Sequence, residues 1–359
     1  MRPQSETQIG AVSTIRLLQF QLLRKFVTMP VFINLMVAAP QMAILILVGR
    51  HDSERHSMQW FSQAWKQALL DLDPALDIRI WPDAGNHSEI ELILVWNHPP
   101  GLLKQFHHAK AIYSLAAGVD HIFVDPDIDS RLPIVRIVDS YMANDIVQYV
   151  AAYVLQYIKR VQHWADKQKN SVWYKQPPFT FADKAIGIMG LGHLGGKAAS
   201  ILQQMGLTVN GWSQSPKQLP GVNQFAGDAQ FHEFLSHTDI LICMLPLTAK
   251  TENILNRNTF SYLRNGAYLI NVGRGQHLVE EDLLSALSSG QLSGACLDVF
   301  RQEPLPQNHP FWSHPDIRVT PHIASVTNPV TAAPQLYENY RRLMAGLPLF
   351  NRVDLQKGY

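Results

Sequence analysis

"KAIGIMGLGHLGGKAASILQQMG", Lys184–Gly206, holds three glycines whose spacing constrains the architecture more than any other part of the chain. Ala185 to Met189 is an apolar run that reads as a strand. Gly190, Gly192 and Gly195 follow it as G-x-G-x-x-G, and Leu194, Ala198, Ile201, Leu202 and Met205 then recur along one helix face. Strand, glycine turn and helix make the opening unit of a dinucleotide-binding α/β fold. The glycines divide the work: a tight turn, bare backbone against a pyrophosphate, and close packing of helix on strand. The pyrophosphate belongs at the helix N-terminus, where free N–H groups and the helix dipole favour an anion, so His193 and Leu194 join the glycines as candidate contacts. The bland alternative is a glycine-rich packing turn, which needs no such flanks.

The strand after this helix, "LTVNGW", runs into Ser213, Gln214, Ser215, Pro216 and Lys217. A site for NAD carries an acid at about this place, accepting from the ribose 2′-OH and repelling a 2′-phosphate. None is here. Hydroxyls and one lysine can instead donate to a 2′-phosphate, which favours NADPH and leaves NADH possible. The competing reading is a solvated loop whose lysine touches nothing.

Composition narrows the rest. With 47% hydrophobic and 16% charged residues the chain is globular, and at 359 residues it suits two domains better than one. Thirty basic against 29 acidic residues leave a formal charge of +1, so no overall field draws nucleic acid or an anionic membrane. Cys243 and Cys296 lie in apolar runs and read as buried thiols, consistent with a reducing cytoplasm. The 15 histidines fall into no metal-binding spacing, "FHHAK" at His107 and His108 included, so no metal is expected.

The 24 residues Phe26 to Gly49 carry no charge and follow Arg16, Arg24 and Lys25, which raises the question of a membrane span or export signal. Pro30, Asn34, Pro40 and Gln41 interrupt the run, and Ala43 to Gly49 reads better as a buried parallel strand. No membrane association is expected. Met42 is read as the natural start, with residues 1–41 a poorly ordered extension or a start-site error.

From Met42 onward strands alternate with helical patterns, the mark of a parallel α/β sheet: "AILILVG", a helix over Trp60 to Leu70, "DIRIW", "IELILVW", then "AIYSLAAGVD" running from a strand into a small-residue turn. A long helical pattern from Met142 to Trp164 follows, then the loop "KQPPF", Lys175 to Phe179, before the second α/β series. In that series Arg274 sits in a Gly-flanked turn after one strand, Asp298 and Glu303 follow another, and His322 follows a further strand within "DIRVTPHIAS". The carboxyl ends of strands are where doubly wound sheets bind ligands. Singly, each residue has a plain structural reading as a surface ion pair, a turn acid or a satisfied histidine.

Together, "SLAAGVD", "IGIMGLGHLGGKAA", "LPLTAKTENIL", "GAYLINVGRGQHLVEEDLLSAL", "GACLDVFRQEPLP" and "TPHIAS" resemble the D-isomer-specific 2-hydroxyacid dehydrogenase family over nearly the whole chain from Met42. "VWNHPP", "WSQSPKQLPGV" with "FAG", and "DVFRQEPLP" are most similar to its bacterial A-type glyoxylate and hydroxypyruvate reductases. The resemblance implies two Rossmann-like domains with an interdomain active-site cleft: a discontinuous substrate domain, 42–139 plus 324–359, and a cofactor domain, 140–323, hinged near Met142 and Thr327. It also implies a homodimer.

By the same resemblance Arg274 holds a 2-oxo acid, a planar bidentate task that suits guanidinium. His322 donates a proton to the carbonyl oxygen as hydride arrives, and Glu303 orients the imidazole and raises its pKa. Asp298 and the backbone at Val272 take the nicotinamide carboxamide. Leu245, Pro246 and Thr251 flank the adenosine half. The N–H groups of Ala117, Gly118 and Val119 receive the substrate carboxylate, and Trp96 walls the pocket unless it is an ordinary core tryptophan. Two departures stand out: relatives preferring NADPH often show arginines where this chain has only Lys217, and residues 1–41 match nothing placed in the family. The expected activity is NADPH-preferring reduction of glyoxylate and hydroxypyruvate. The alternatives are a larger 2-oxo acid, a phosphoglycerate dehydrogenase (against which only 37 residues follow His322, too few for the regulatory domain many of those carry), and a non-catalytic NAD(P)-sensing corepressor-like protein.

Overall fold

The computed structural model describes residues 42–175, 184–355 and 358, so the expectations for residues 1–41 and for most of the "KQPPF" loop lie outside the described residues. The apolar runs become strands of two wholly parallel sheets. Strands β1 (Ala43–Val48), β2 (Ile78–Ile80), β3 (Ile90–Trp96), β4 (Ala111–Ser114) and β5 (Ile134–Val135) form a five-stranded sheet ordered β2-β1-β3-β4-β5. All six residues of β1 are buried, as a strand covered on both faces requires. Ile44, Ile46 and Val48 face one core with Phe61, Trp65 and Leu69; Ala43, Leu45 and Leu47 face another with Leu103, Phe106 and Ile122.

Helices α1 (Asp52–Ser57), α2 (Gln59–Leu70) and α3 (Asp120–Phe123) belong to this first lobe. The chain leaves it through α4 (Ser140–Ile158) and α5 (Val161–Lys169). The sequence pattern from Met142 to Trp164 reads as one helix, but the structure breaks it at Arg160, whose φ is 53°. The reason lies in burial: Ile146, Val150, Val154 and Ile158 form a core-facing stripe, and no residue of α5 is buried, so the apolar stripe that fixes the direction of α4 does not continue past the break.

The second sheet has seven strands, β6 (Ala185–Met189), β7 (Thr208–Ser213), β8 (Asn223–Ala226), β9 (Ile240–Cys243), β10 (Ala267–Asn271), β11 (Leu292–Leu297) and β12 (Ile317–Val319), ordered β12-β11-β10-β9-β6-β7-β8. Helices α6 (His193–Gln204), α7 (Phe231–Ser236), α8 (Arg257–Tyr262) and α9 (Glu280–Ser288) connect them. Strand order reverses between β6 and β9, the switch point at which such sheets open a crevice. After β12 the chain returns through Ser325 to Asn328 into α10 (Pro329–Met344), whose Ala332, Ala333, Leu336 and Tyr340 pack into the first lobe. The outgoing and returning segments are tied together: Asp139 caps α4 through the Tyr141 N–H at 3.0 Å and accepts the Thr331 hydroxyl at 2.7 Å, while the Val138 N–H reaches Gln335 Oε1 at 3.2 Å.

Candidate active site

The glycine loop assigns each glycine a separate constraint. Gly190 has φ +99° and a Cβ there would stand 2.8 Å from the Met244 carbonyl oxygen, so the turn admits no side chain. A Cβ on Gly195 would fall 1.9 Å from the Gly190 oxygen, which fixes how closely α6 approaches β6. At Gly192 the same construction meets nothing within 4 Å: the fold leaves space there that its own packing does not use. Intrahelical bonding begins with the Gly196 N–H on the Gly192 carbonyl at 2.8 Å, leaving the N–H groups of His193, Leu194 and Gly195 directed outward at the helix start. An open glycine backed by free donors fits the diphosphate of a dinucleotide.

At the end of β7, Ser213 is buried and its hydroxyl donates to the Ser215 carbonyl at 2.7 Å. The proton of Ser213 is therefore used inside the loop, and Gln214, Ser215 and Lys217 supply the side-chain donors among the exposed residues Gln214 to Lys217. On the other side of the crevice Leu245 is buried, and the Thr251 hydroxyl closes its loop on the Pro246 carbonyl at 2.7 Å.

Arg274 follows β10 and reaches across to the first lobe. Its Nε lies 3.0 Å from both carboxylate oxygens of Asp120, and one terminal nitrogen donates to the Gly273 carbonyl at 2.8 Å. Burial pushes the Asp120 carboxyl up, but the charge and hydrogen bond of Arg274 outweigh it, so its pKa falls below the ordinary value. A guanidinium has five N–H donors, so donors remain on both terminal nitrogens. The turn is set by neighbours: Asn271, fully buried, accepts from the Gly273 N–H at 3.1 Å and donates to the Arg274 carbonyl at 3.1 Å. His277 Nδ1 accepts from the Arg274 N–H at 3.0 Å, which puts its proton on Nε2, facing the Pro246 carbonyl at 3.3 Å. Burial drives that imidazole down to about 4, so it stays neutral. A Cβ on Gly275 would sit 1.9 Å from the Phe300 carbonyl carbon, so the glycine after Arg274 seats this turn against the β11 loop.

On that neighbouring loop Glu303 accepts from the Phe300 N–H at 2.9 Å and meets His322 Nδ1 at 2.7 Å. Burial raises the Glu303 carboxyl, and the His322 hydrogen bond and charge with the Phe300 N–H lower it more, for a net fall. A carboxylate only accepts, so Nδ1 carries the proton and Nε2 is the nitrogen left for a ligand. His322 itself has φ 55°, a left-handed conformation uncommon outside glycine that persists only where surroundings enforce it. Asp298, 1% exposed, supplies that enforcement: Oδ1 accepts from the Ile323 N–H and Oδ2 from the Ala324 N–H, both at 2.9 Å. Oδ2 keeps unused acceptor capacity. The Val272 N–H is bonded to the Cys243 carbonyl at 3.2 Å.

The first lobe contributes the turn after β4. The Ser114 hydroxyl donates to the Gly118 carbonyl at 2.8 Å and accepts from the Ala116 N–H at 3.2 Å, curling the chain back. Among the described residues, the N–H groups of Ala117, Gly118 and Val119 donate no hydrogen bond. A Cβ on Gly118 would stand 1.9 Å from an Arg274 terminal nitrogen, so these donors and the guanidinium converge. The Trp96 ring is half-buried and packs edge-on against His121 at 5.0 Å, whose imidazole burial pushes down to about 3. The structure thus brings together Arg274, Glu303, His322, Asp298 and the Ala117–Val119 turn. Asp120, His277, Asn271 and His121 carry no role in the sequence reading, although Asp120 follows directly on the small-residue turn.

Comparison with known proteins places this geometry. Residues 151–324 match the family model for the D-isomer specific 2-hydroxyacid dehydrogenase NAD binding domain. The glyoxylate/hydroxypyruvate reductase A of Yersinia enterocolitica is 39% identical over 304 residues, covering 83% of this chain and 96% of that protein. Among solved structures, a D-isomer specific 2-hydroxyacid dehydrogenase from Xanthobacter autotrophicus in complex with NADPH and MES superposes with TM-score 0.81 at 37% identity, over 89% of this chain and all of that one. An NADPH-dependent glyoxylate/hydroxypyruvate reductase from Sinorhizobium meliloti, in complex with NADP and sulfate, gives 0.80 at 31% identity with the same coverage.

Proposed function

The chain belongs to the D-isomer specific 2-hydroxyacid dehydrogenase family, and from that premise we propose that it is an NADPH-preferring reductase of small 2-oxo acids, converting glyoxylate to glycolate and hydroxypyruvate to D-glycerate. The observation that carries this reading is the convergence of Arg274 on the unbonded N–H groups of Ala117, Gly118 and Val119. A carboxylate with an adjacent carbonyl oxygen is the ligand that uses fixed backbone donors and a planar guanidinium at once. Asp120 holds the guanidinium in place before the substrate arrives, so less freedom is lost on binding.

The nicotinamide, when bound, supplies the hydride for the substrate carbonyl carbon. His322 supplies the proton for the carbonyl oxygen from Nε2, and Glu303 fixes the tautomer through Nδ1. In the reverse direction the same nitrogen accepts the proton. Gly190, Gly192, Gly195 and the N–H groups of His193 and Leu194 hold the diphosphate, and Ser213, Gln214, Ser215 and Lys217 line the adenosine ribose. Leu245, Pro246 and Thr251 flank the adenosine half, Val272 and the free capacity of Asp298 serve the carboxamide, and Trp96 limits substrate size. The Xanthobacter structure in complex with NADPH and the NADPH-dependent Sinorhizobium reductase support the choice of NADPH. We draw the lobes at 42–139 with 324–359 and at 140–323, and propose a cytoplasmic homodimer; among the described residues no helix is long and apolar enough to cross a membrane.

Chiral chromatography of the product from hydroxypyruvate tests the reaction. D-Glycerate is expected, and L-glycerate would remove the proposed substrate orientation. Ser213→Asp combined with Lys217→Ala tests the cofactor half, with preference expected to move toward NADH.

A further inference from the structure

The loop that carries His322 is held by more than Asp298. Thr320 Oγ1 donates to Asp298 Oδ1 at 2.6 Å, and the Tyr149 hydroxyl lies 2.6 Å from the same Thr320 oxygen. A hydroxyl has one hydrogen. Because Thr320 gives its hydrogen to the carboxylate, Tyr149 is the donor to Thr320. The Tyr149 hydrogen is then committed, so the 3.4 Å contact between its oxygen and Cys296 Sγ is an S–H donation from the cysteine. The donations converge on Asp298: Cys296 to Tyr149 to Thr320 to Asp298 from one side, and the Ile323 and Ala324 N–H groups to Asp298 from the far side of His322.

Tyr149 stands in α4, the helix by which the chain leaves the first lobe. The same helix holds the other end of the loop, since the Ser325 hydroxyl donates to the Met142 carbonyl at 3.0 Å. Seven residues separate Met142 from Tyr149, about 10 Å along a helix axis. The segment Thr320–Ser325 is therefore strapped at both ends along two turns of α4, with the left-handed His322 between the straps.

We propose that Tyr149 is a positioning residue for proton transfer: acting through Thr320 and Asp298, it registers the His322 imidazole to α4. This rests on the reading that His322 protonates a 2-oxo acid. Tyr149 touches neither substrate nor cofactor in this account. Removing its hydroxyl leaves Thr320 Oγ1 without a donor and Cys296 without an acceptor, while the tyrosine ring keeps its packing on Tyr153 at 4.7 Å.

The test uses the full-length protein with Tyr149→Phe, Thr320→Val, Thr320→Ser and the Tyr149→Phe/Thr320→Val double variant. Tyr149→Phe and Thr320→Val are each expected to lower kcat for hydroxypyruvate by about tenfold, the effect of one lost hydrogen bond that aligns a proton donor. KM for NADPH and hydroxypyruvate stay within about twofold, and Thr320→Ser, which keeps the hydroxyl, restores kcat. The double variant is no slower than the worse single variant, because both break one chain of bonds. Amide hydrogen exchange supplies a readout independent of activity: the Ile323 and Ala324 N–H groups exchange faster in Tyr149→Phe, and those of β6 do not change. A kcat for Tyr149→Phe within twofold of wild type overturns the proposal whatever the exchange shows, and so does additivity in the double variant. A wild type that reduces no 2-oxo acid sinks the functional reading instead, and the exchange rates still decide whether Tyr149 holds the loop.

Discussion

His322 and Glu303 are joined by a hydrogen bond of 2.7 Å between Nδ1 and Oε2, although 19 residues and the strand β12 separate them in the chain. The bond forms because β11 and β12 are neighbours in a parallel sheet and deliver both loops to the same edge. His322→Ala removes the proton donor and is expected to lower kcat/KM by roughly 10²-fold or more. Glu303→Gln keeps a hydrogen-bonding partner but frees the tautomer, and should lose less. Steady-state kinetics with hydroxypyruvate decide; a His322→Ala variant near wild-type rate would remove His322 from the mechanism.

Gly118→Ala probes the substrate end. Its methyl group would meet an Arg274 terminal nitrogen at 1.9 Å, so the guanidinium must move away from the Ala117–Val119 donors. KM for the 2-oxo acid should rise by roughly tenfold or more as a bidentate contact is lost, with KM for NADPH unchanged. An unchanged KM for the acid would mean that the substrate carboxylate lies elsewhere.

The glycine loop allows a paired comparison. Gly195→Ala places a methyl 1.9 Å from the Gly190 oxygen and should lower Tm, while Gly192→Ala meets nothing and should leave Tm unchanged. Binding shows the reverse distinction: Gly192→Ala, which fills the space read as the pyrophosphate seat, should weaken NADPH by roughly tenfold in a fluorescence titration. Undiminished NADPH affinity in Gly192→Ala would move the diphosphate away from this loop.

Stability should fall on mild acidification. Burial holds His121 down to about 3 and His277 down to about 4, and lowers His98, against about 6.5 for the unfolded chain. The folded pKa values lie below the unfolded value, so between them the unfolded state binds more protons. The stabilisation is complete above about pH 6.5 and is lost as pH falls from there toward 4 and 3. At pH 5, His121 and His277 each cost about 2 kcal/mol relative to neutral pH. The depressed carboxyls of Asp120 and Glu303 act at lower pH, their contribution being lost as pH falls below their ordinary values of 3.8 and 4.5. Urea midpoints at pH 7.5 and pH 5 check this; equal midpoints would show that these histidines are not held neutral by the fold.

Much of this site was legible in the sequence because its signals are local. Gly190, Gly192 and Gly195 act through the backbone they themselves form, and Arg274, Glu303 and His322 each follow a readable strand, so the sheet had only to place those strands side by side. The partners of these residues were not legible. Asp120 meets Arg274 across 154 positions, and Tyr149 meets Thr320 across 171, contacts that exist only once two lobes and a helix are packed. His277 was passed over because a buried neutral histidine has no sequence pattern of its own. The break at Arg160 was missed because periodicity shows where a helix can run, and burial decides how far it does.

The central claim is that this cleft reduces a small 2-oxo acid at the expense of NADPH. Initial rates of NADPH and NADH oxidation by the wild-type protein, with glyoxylate, hydroxypyruvate, pyruvate and phenylpyruvate in turn, test it most directly. Glyoxylate and hydroxypyruvate are expected to be turned over with the higher kcat/KM for NADPH; no oxidation of either cofactor with any of the four acids would overturn the reductase reading.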